Sequence, residues 1–471
     1  MKVLFVASEV APWSKTGGLA DVASALPIAL AKRGHQVRVV SPRYRGLGDG
    51  AAPSGPPLPL RFPAFEGTAR AVSMEAQGVE QVFIGEPKFF DRAGIYGEHG
   101  GEYADNHRRY AFFTCAALAH AQATGFDAEV VHLNDWQTGL APLMLRRGFQ
   151  GSALGRARTV LTIHNLAYQG NAEKHAMNEL GLPWDLFTPA GVEFYDRLSF
   201  LKAGLMYCDA ITTVSPTYAE EIQTAGGGHG LDGVLRDRVS VLSGILNGVD
   251  TEQWNPATDP LIPARYSAGA LDGKEECRRA LLRRFGLPLE PRWPVFGVVG
   301  RMADQKGVDL YQAVLPKLLE GPVRAVVMGT GDKRFENAYL ELERRFRDRF
   351  AVQVGFDEPL SHLIEAGSDF FVMPSRFEPC GLNQMYSLRY GTVPVVRSVG
   401  GLKDTVTDLK EPQATGIRFD AFTPEALLEA LQRAVKLFGA PRELEQVRAR
   451  GMAKDFSWDA AAQKYEQVYR R

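Results

Sequence analysis

Short runs of β-branched and other apolar residues recur along this chain, with helical stretches between them. In the first half the runs lie at 3–7, 37–41, 82–85, 130–133, 160–163 and 210–214. In the second half they lie at 295–299, 325–328, 352–355, 370–373 and 393–397. Strands this uniformly apolar are buried on both faces, which is typical of parallel sheets covered by helices. The pattern therefore predicts an α/β fold with two parallel sheets.

The strand pattern stops between the two halves and then restarts, which divides the chain. Its 471 residues exceed what one hydrophobic core usually organises, a limit of about 250–300 residues. Residues 239–294 contain an Asn-Gly pair and several prolines, as a hinge and lead-in would. We place the domain boundary near residue 245, with domains at 1–245 and 246–457. The final stretch, 458–471, has apolar residues at helical spacing and predicts a closing helix.

The charge balance argues against nucleic acid and membranes as partners. The chain has 54 basic and 55 acidic residues, so no field of one sign attracts either surface. No apolar run of about 18 residues occurs, and the first apolar run is too short for a signal peptide. The four cysteines include no C-x-x-C pair, so neither a zinc site nor a disulfide framework is indicated. We expect a cytoplasmic protein. A Pro/Gly-rich stretch at 46–63 predicts a surface loop.

The first loop that could carry chemistry is Lys-Thr-Gly-Gly-Leu at 15–19, which follows the first strand. Gly17 and Gly18 allow backbone N–H groups to approach a phosphate, and the next helix, expected near Asp21, adds a partial positive charge. Lys15 would add a full charge. A tight turn with a solvated lysine is the alternative, since the dinucleotide fingerprint and the P-loop order are both absent.

The second loop follows the predicted strand at 295–299 and carries Arg301 and Lys306. Both side chains could converge on one diphosphate, the guanidinium as a fork and the ammonium as a point charge. Solvated surface charges are the alternative.

The third loop, 374–382, follows the predicted strand at 370–373. It places Glu378 and the following N–H groups at the sheet edge where ligand crevices form. The carboxylate could bind sugar hydroxyls or stabilise positive charge at an anomeric carbon. A glutamate that caps the next helix is the alternative.

Two further strand ends carry polar residues that suit a sugar. His164 and Asn165 follow the strand at 160–163, and Asp135 with Trp136 follows the strand at 130–133. An aromatic ring beside a carboxylate suits a sugar, although a packed tryptophan is the ordinary alternative. A histidine in this position is also often a loop or core residue.

Together, the loop at 15–19, the Gly-Arg…Lys-Gly loop at 300–307 and Arg-Phe-Glu-Pro-Cys-Gly-Leu at 376–382 resemble bacterial glycogen synthases and plant starch synthases. The resemblance covers nearly the whole chain. It implies two facing Rossmann-like domains with a cleft between them, and a final helix that crosses back to the first domain. It also implies retaining transfer of glucose from ADP-glucose to glycogen or another α-1,4-glucan. We expect no metal or cofactor, because the chain contains no Asp-x-Asp pair and the cations named above could take the place of a metal.

The resemblance assigns residues by position. Those implied at the nucleotide are Lys15, Gly17, Gly18, Asp21, Arg301, Lys306, Phe356, Cys380, Gly381, Leu382 and Asn383. With the strand ends above, the expected sugar contacts are Tyr96, Asp135, Trp136, His164, Asn165, Asn247 and Glu378. The expected catalytic set is Lys15, His164, Arg301, Lys306 and Glu378.

Three positions depart from related patterns. Phe356 stands where relatives often stack a tyrosine on adenine, and Asn383 stands where many have threonine. Other retaining transferases have a second glutamate paired with the one that corresponds to Glu378. Tyr386 stands at that second position here, which fits the synthase branch.

Other functions compete with this interpretation. A nicotinamide-dependent oxidoreductase also has two α/β domains, but the glycine fingerprint it requires is missing. A non-catalytic sugar-binding protein would keep the fold without turnover. Glycogen phosphorylase shares the architecture but requires a pyridoxal Schiff-base lysine.

Overall fold

The chain folds into two α/β units, and the computed structural model describes residues 1–48, 50–98 and 101–471. Unit 1 comprises Met1–Val214, Ala219–Gly248 and Trp458–Arg471. Unit 2 comprises Ser215–Tyr218 and Val249–Ser457. Within the described residues, no helix has the length and apolarity needed to cross a membrane.

The strands are β1 Lys2–Val6, β2 Gln36–Pro42, β3 Ala52–Pro53, β4 Leu58–Arg61, β5 Glu66–Ala76, β6 Val79–Gly85, β7 Gly97–Glu98, β8 Gly101–Glu102, β9 Val130–Asn134, β10 Arg158–Ile163, β11 Asn171–Glu173, β12 Glu193–Phe194, β13 Arg197–Ser199, β14 Ala210–Thr213, β15 Leu242–Gly244, β16 Val295–Val299, β17 Arg324–Gly329, β18 Phe350–Val354, β19 Phe370–Met373, β20 Val393–Arg397 and β21 Ile417–Phe419.

The α-helices are α1 Gly18–Lys32, α2 Pro87–Phe90, α3 Asn106–Ala123, α4 Ala141–Gly148, α5 Ala176–Leu180, α6 Phe200–Tyr207, α7 Pro216–Glu221, α8 Asp232–Asp237, α9 Asp272–Arg284, α10 Val308–Leu319, α11 Lys333–Arg345, α12 Glu358–Gly367, α13 Asn383–Arg389, α14 Gly400–Thr405, α15 Pro424–Phe438, α16 Pro441–Met452 and α17 Trp458–Arg470.

The main sheet of unit 1 has the strand order β15-β14-β10-β9-β1-β2-β6-β5-β3, with β4 paired to β5. The pairs from β15 to β6 are parallel, and those that β5 makes are antiparallel. Because parallel strands run in one direction, their carboxyl ends line one edge of the sheet. The loops at 7–17, 135–140 and 164–170 therefore begin at neighbouring positions along that edge.

The prediction of a surface loop at 46–63 is wrong in part. Strands β3 and β4 lie in this stretch and pair with β5, which the apolar pattern also missed. Strand β5 mixes buried, half-buried and exposed residues, as an antiparallel strand with one solvated face does. Prolines are tolerated in β3 and β4 because an edge strand leaves some N–H groups unpaired.

The sheet of unit 2 is parallel throughout, in the order β18-β17-β16-β19-β20-β21. Every strand predicted from the sequence is present in the two units, and those at 295–299, 370–373 and 393–397 have the observed bounds. These findings confirm the predicted α/β class. The lead-in at 239–294 contains a helix that the proline-rich pattern obscured, α9, which buries Cys277, Leu281 and Leu282.

Helix α17 packs against the sheet and α1 of unit 1. Tyr465 and Tyr469 belong to the same buried core cluster as Leu26 and Val37. The Tyr469 hydroxyl lies 2.7 Å from Nδ1 of His132 on the central strand β9. The end of the chain is therefore part of the first unit's core.

Replacing Tyr465 with alanine should lower the free energy of unfolding of unit 1. The side chain is fully buried, and truncating a large buried aromatic leaves a cavity that typically costs about 3–5 kcal/mol. The exposed neighbour Lys464 provides the control, because Lys464→Ala should stay within about 0.5 kcal/mol of wild type. Calorimetry of both variants measures the difference, and equal melting profiles would contradict the packing described.

Candidate functional site

The loop after β1 is fixed by the buried carboxylate of Glu9. Its Oε2 accepts the backbone N–H groups of Thr16 at 2.5 Å and Gly17 at 3.3 Å. Its Oε1 accepts the hydroxyls of Thr16 at 2.7 Å and Tyr96 at 2.5 Å. No sequence motif marks Glu9, which lies six residues before Lys15 in the same loop. Tyr96, an expected sugar contact, therefore directs its hydroxyl to this carboxylate.

The paired glycines lie at the start of α1, which begins at Gly18 and not near Asp21 as predicted. An added Cβ at Gly17 or Gly18 would meet no atom within 4 Å, so ligand atoms could approach the backbone closely. The Lys15 ammonium pairs with Asp21 at 2.6 Å, and 52% of the Lys15 side chain is exposed. An anion that binds Lys15 would compete with this carboxylate.

The ends of β9 and β10 are joined through Asp135. Its carboxylate accepts the backbone N–H groups of His164, at 2.7 Å, and of Asn165. Burial raises the pKa of Asp135 to about 7, although these two hydrogen bonds oppose the shift. The backbone of Asp135 is left-handed, with φ of 54°, a conformation that is rare for residues other than glycine.

Burial also keeps the His164 imidazole uncharged, because it lowers the pKa of His164 to about 3. Nε2 lies 2.9 Å from Oδ1 of Asn134. His164 can therefore offer a sugar a neutral hydrogen-bonding group but no positive charge at neutral pH.

Trp136, an expected sugar contact, is packed within unit 1. Only 6% of the residue is exposed, and its ring packs edge-on against Tyr110 and Phe200 with centroids 5.1 and 6.0 Å away. A Cβ added to Gly170 would lie 2.2 Å from the Trp136 ring. The alternative of a packed core tryptophan is the better interpretation.

Asn247 has the feature expected of a ligand contact in unit 1. The residue is 6% exposed, and no group in the described part of the chain hydrogen-bonds its side-chain Oδ1. A buried polar atom without a partner is destabilising. A ligand hydroxyl would satisfy it.

In unit 2, the loops after β16 and β19 are joined by an ion pair between Lys306 and Glu378. Lys306 Nζ lies 2.6 Å from Glu378 Oε2, which also accepts the Ser375 hydroxyl at 3.0 Å. Glu378 is 5% exposed. It caps no helix, because α13 begins at Asn383 without a side-chain cap, so the capping alternative is wrong.

Arg301 is an exposed cation on the same loop as Lys306. Its guanidinium approaches only the amide oxygen of Gln305, at 3.5 Å, and no carboxylate among residues 1–48, 50–98 and 101–471 forms an ion pair with it. This positive charge is therefore available to an anion.

Glycines allow the unit 2 loops to contact each other through their backbones. At Gly400, φ is 41° and an added Cβ would lie 2.0 Å from the Glu378 carbonyl oxygen. At Gly307, φ is 67° and an added Cβ would lie 2.0 Å from the Pro374 carbonyl oxygen. Only glycine fits both the dihedral angle and the space. Gly400 was not predicted as a site residue, although a Gly-Gly pair shortly after a strand is a signal that the sequence carries.

The remaining expected nucleotide contacts differ in accessibility. Phe356 is 73% exposed, which leaves its ring free to stack on a base. Cys380 is buried, and Gly381 is left-handed with φ of 73°. Asn383 uses its amide N–H to bind the Val299 carbonyl at 2.8 Å. A phosphate that accepts a hydrogen bond from this Asn383 N–H would therefore have to displace the Val299 carbonyl.

No three His, Cys, Asp or Glu side chains gather into a metal-binding group in the part of the chain that the structure describes.

Comparisons with known families match both units. Residues 2–237 match the starch synthase catalytic domain, and residues 283–447 match the glycosyl transferases group 1. The glycogen synthase of Myxococcus xanthus is 53% identical over 474 residues, which span 100% of this chain and 99% of that protein. Glycogen synthase 1 of Methylococcus capsulatus is 48% identical, with coverage of 100% and 96%.

Solved structures agree with these sequence matches. The catalytic domain of Starch Synthase IV from Arabidopsis thaliana, bound to ADP and acarbose, superposes with a TM-score of 0.91 at 33% identity. It covers 100% of this chain and 98% of its own. Sucrose-phosphate synthase from Thermosynechococcus elongatus, at 18% identity and a TM-score of 0.63, shares the fold over 100% of this chain and 98% of its own.

The neutral state of His164 should appear in the acid stability of the protein. Its pKa falls from 6.5 to about 3 on folding, so the unfolded chain takes up the proton first. The contribution of the neutral His164 to the free energy of unfolding is therefore complete above pH 6.5, and it is lost as the pH falls toward 3. In urea unfolding, the free energy of unfolding of His164→Gln should fall by about 1–2 kcal/mol less than that of the wild type between roughly pH 6.5 and 5. An imidazole NMR titration of His164 near pH 6.5 would contradict the assignment.

Proposed function

Because this chain belongs to the glycogen synthase and starch synthase family of glycosyltransferases, we propose that it transfers glucose from ADP-glucose to an α-1,4-glucan. The acceptor group is the 4-hydroxyl at the non-reducing end, and the anomeric carbon keeps its configuration. The binding of ADP and acarbose by the Arabidopsis relative supports this donor and acceptor. The observation that carries the proposal is the Lys306–Glu378 ion pair, on whose first loop Arg301 keeps a charge that no carboxylate among the described residues pairs with.

In this proposal the cations stabilise the departing diphosphate. As the bond between the anomeric carbon and the phosphate oxygen breaks, negative charge grows on ADP. Arg301 and Lys306 offset this charge, and Lys15 adds a third cation when the anion displaces Asp21. Backbone N–H groups at Gly17, Gly18, Gly381 and Leu382 would add hydrogen bonds.

The sugar is held by neutral and negative groups in the same proposal. His164 and Asn247 would hydrogen-bond its hydroxyls, and Glu378 would stabilise positive charge at the anomeric carbon. Lys306 and Ser375 hold the Glu378 carboxylate in place, while the Asp135 carboxylate is occupied by backbone N–H groups. Neither is arranged as a free nucleophile, which supports substitution on one face. The acceptor hydroxyl then passes its proton to the leaving phosphate oxygen as the new bond forms.

A donor panel with glycogen tests the substrate assignment. We expect ADP-glucose to support faster glucose incorporation than UDP-glucose, and NMR of the product to show α-anomeric protons. Glu378→Gln and Lys306→Gln should each lower kcat by about 10²–10³-fold, as does loss of one preorganised electrostatic contact in other enzymes.

The surface pair Lys317–Glu320, at 2.8 Å, supplies the matched control, since Lys317→Gln should retain the wild-type rate. Thermal unfolding separates lost catalysis from lost folding. A preference for UDP-glucose would overturn the donor assignment, and wild-type kcat in both site variants would overturn the catalytic one.

A second experiment tests whether cationic side chains suffice without a metal. If Arg301 and Lys306 neutralise the diphosphate, EDTA should leave the rate of ADP release within about twofold of the untreated enzyme, a difference of roughly 0.4 kcal/mol. A large loss of activity that magnesium or manganese restores would refute this part of the proposal.

A further inference from the structure

Gln384 is a buried polar residue of unit 2 that the proposed function does not use. It lies in α13, two residues after the Cys-Gly-Leu stretch at 380–382, and it is fully buried. Its side-chain Nε2 donates to three oxygens, the carbonyls of Cys380 and Gly381 at 3.0 Å each and the Thr405 hydroxyl at 3.2 Å. A side chain that binds a loop from the interior controls which groups the loop presents to a ligand.

The surroundings fix the orientation of this amide. The two carbonyls can only accept hydrogen bonds, and the Thr405 hydroxyl donates its own hydrogen to the Gly401 carbonyl at 2.6 Å. All three partners therefore require the NH₂ end of the amide. The Gln384 Oε1 then has no partner among the described residues, which is unfavourable for a buried oxygen. Hydrophobic packing alone therefore does not account for an amide at this position.

The hydrogen bonds of Gln384 determine where two backbone N–H groups point. In a trans peptide, the C=O and the N–H that follows it point in opposite directions. The carbonyls of Cys380 and Gly381 are directed toward Gln384, so the N–H groups of Gly381 and Leu382 are directed away from it. Gly381 and Leu382 are only half-buried. Within residues 1–48, 50–98 and 101–471, neither N–H donates to another group, so both are available to an anion.

Helix α14 holds the two preceding carbonyls in the same way. The Gly401 N–H donates to the carbonyls of Glu378 and Pro379, each at 3.2 Å. The four consecutive carbonyls of residues 378–381 are thus bound by groups from α13 and α14, and the hydrogen bond to Thr405 joins the two helices. The loop therefore directs these carbonyl oxygens toward the helices, which leaves its opposite side to N–H groups.

The glycine at position 381 makes this control necessary. Gly381 has φ of 73°, and an added Cβ would lie 2.5 Å from the Gln384 Oε1. Peptides beside a glycine rotate readily between turn conformations, because no Cβ opposes the rotation. Rotation of either flanking peptide would place a carbonyl oxygen where an N–H now lies, and that oxygen would repel a phosphate. The two hydrogen bonds from Gln384 oppose this rotation.

We infer that Gln384 is a positioning residue for diphosphate binding. Its side-chain amide holds the carbonyls of Cys380 and Gly381 inward, so that the N–H groups of Gly381 and Leu382 are preorganised as donors to a phosphate. The inference rests on the proposed function and adds a residue that acts through the loop without contacting the substrate. Preorganised donors stabilise a developing negative charge without having to reorient during the reaction.

Calorimetric titration with ADP and with adenosine tests this role, because only ADP carries the diphosphate. Gln384→Met removes the donor and retains an unbranched side chain of similar length. It should weaken ADP binding about tenfold, which corresponds to roughly 1.4 kcal/mol, and should leave the Kd for adenosine within about twofold of the wild-type value. A general loosening of the fold would instead weaken the binding of both ligands alike.

Two variants of Thr405 test the same hydrogen bonds even if the Gln384 variant folds poorly. Thr405→Val removes the oxygen that accepts from Gln384 Nε2 and preserves the shape of the side chain, so it should weaken ADP binding about threefold. Thr405→Ser retains the hydroxyl and should bind ADP as the wild type does. Gln312→Met is the matched control and should also bind ADP normally, because the Gln312 amide donates to the Phe335 carbonyl, at 2.8 Å, and not to the 374–382 loop.

Binding and transfer together separate this inference from the proposed function. In transfer assays Gln384→Met should lower kcat about tenfold and leave the KM for glycogen unchanged. Unaltered ADP affinity in Gln384→Met and Thr405→Val, or an equal loss of adenosine affinity, would overturn the positioning role alone. Wild-type protein that binds ADP but transfers no glucose from ADP-glucose would overturn the proposed function, while the ADP titrations would still decide the role of Gln384. Wild-type protein that fails to bind ADP would overturn both.

Discussion

A buried carboxylate must be hydrogen-bonded or paired, and this requirement fixes a key loop in each unit. In unit 1 Glu9 draws in the backbone N–H groups of Thr16 and Gly17. In unit 2 Glu378 draws in Lys306 and Ser375. An ionised carboxylate left alone at this depth would be strongly destabilising. The loops therefore adopt the conformations that satisfy it, and the candidate phosphate-binding groups are placed as a consequence.

The fold makes this arrangement possible because parallel strands end along one edge. Several expected site residues lie in loops that follow strands of the two sheets, as His164 does after β10, Arg301 after β16 and Glu378 after β19. Close backbone contacts at Gly307 and Gly400 then bring the unit 2 loops together. The resulting geometry depends on small residues as much as on the charged ones that would contact a ligand.

Burial also determines which groups carry charge. His164 and Asp135 share the ends of β9 and β10, and burial shifts the pKa of each toward its neutral form. Arg301 remains exposed and keeps a charge that no carboxylate offsets among the described residues. Unit 1 thus offers neutral hydrogen-bonding groups, and unit 2 offers an exposed cation, as the proposed function requires.

The sequence by itself determined the α/β class, most of the parallel strands, and the loops that carry Lys15, Arg301, Lys306 and Glu378. It could do so because buried parallel strands are continuously apolar and because glycine and charge patterns are local. It could not reveal β5, whose one exposed face interrupts the apolar pattern, or α9, which lies among prolines. Only the tertiary structure decided that Trp136 is packed, that Glu9 organises the first loop and that Glu378 pairs with Lys306. These outcomes depend on burial and on contacts between residues far apart in the chain, such as the 72 positions that separate Lys306 from Glu378, and no local pattern encodes them.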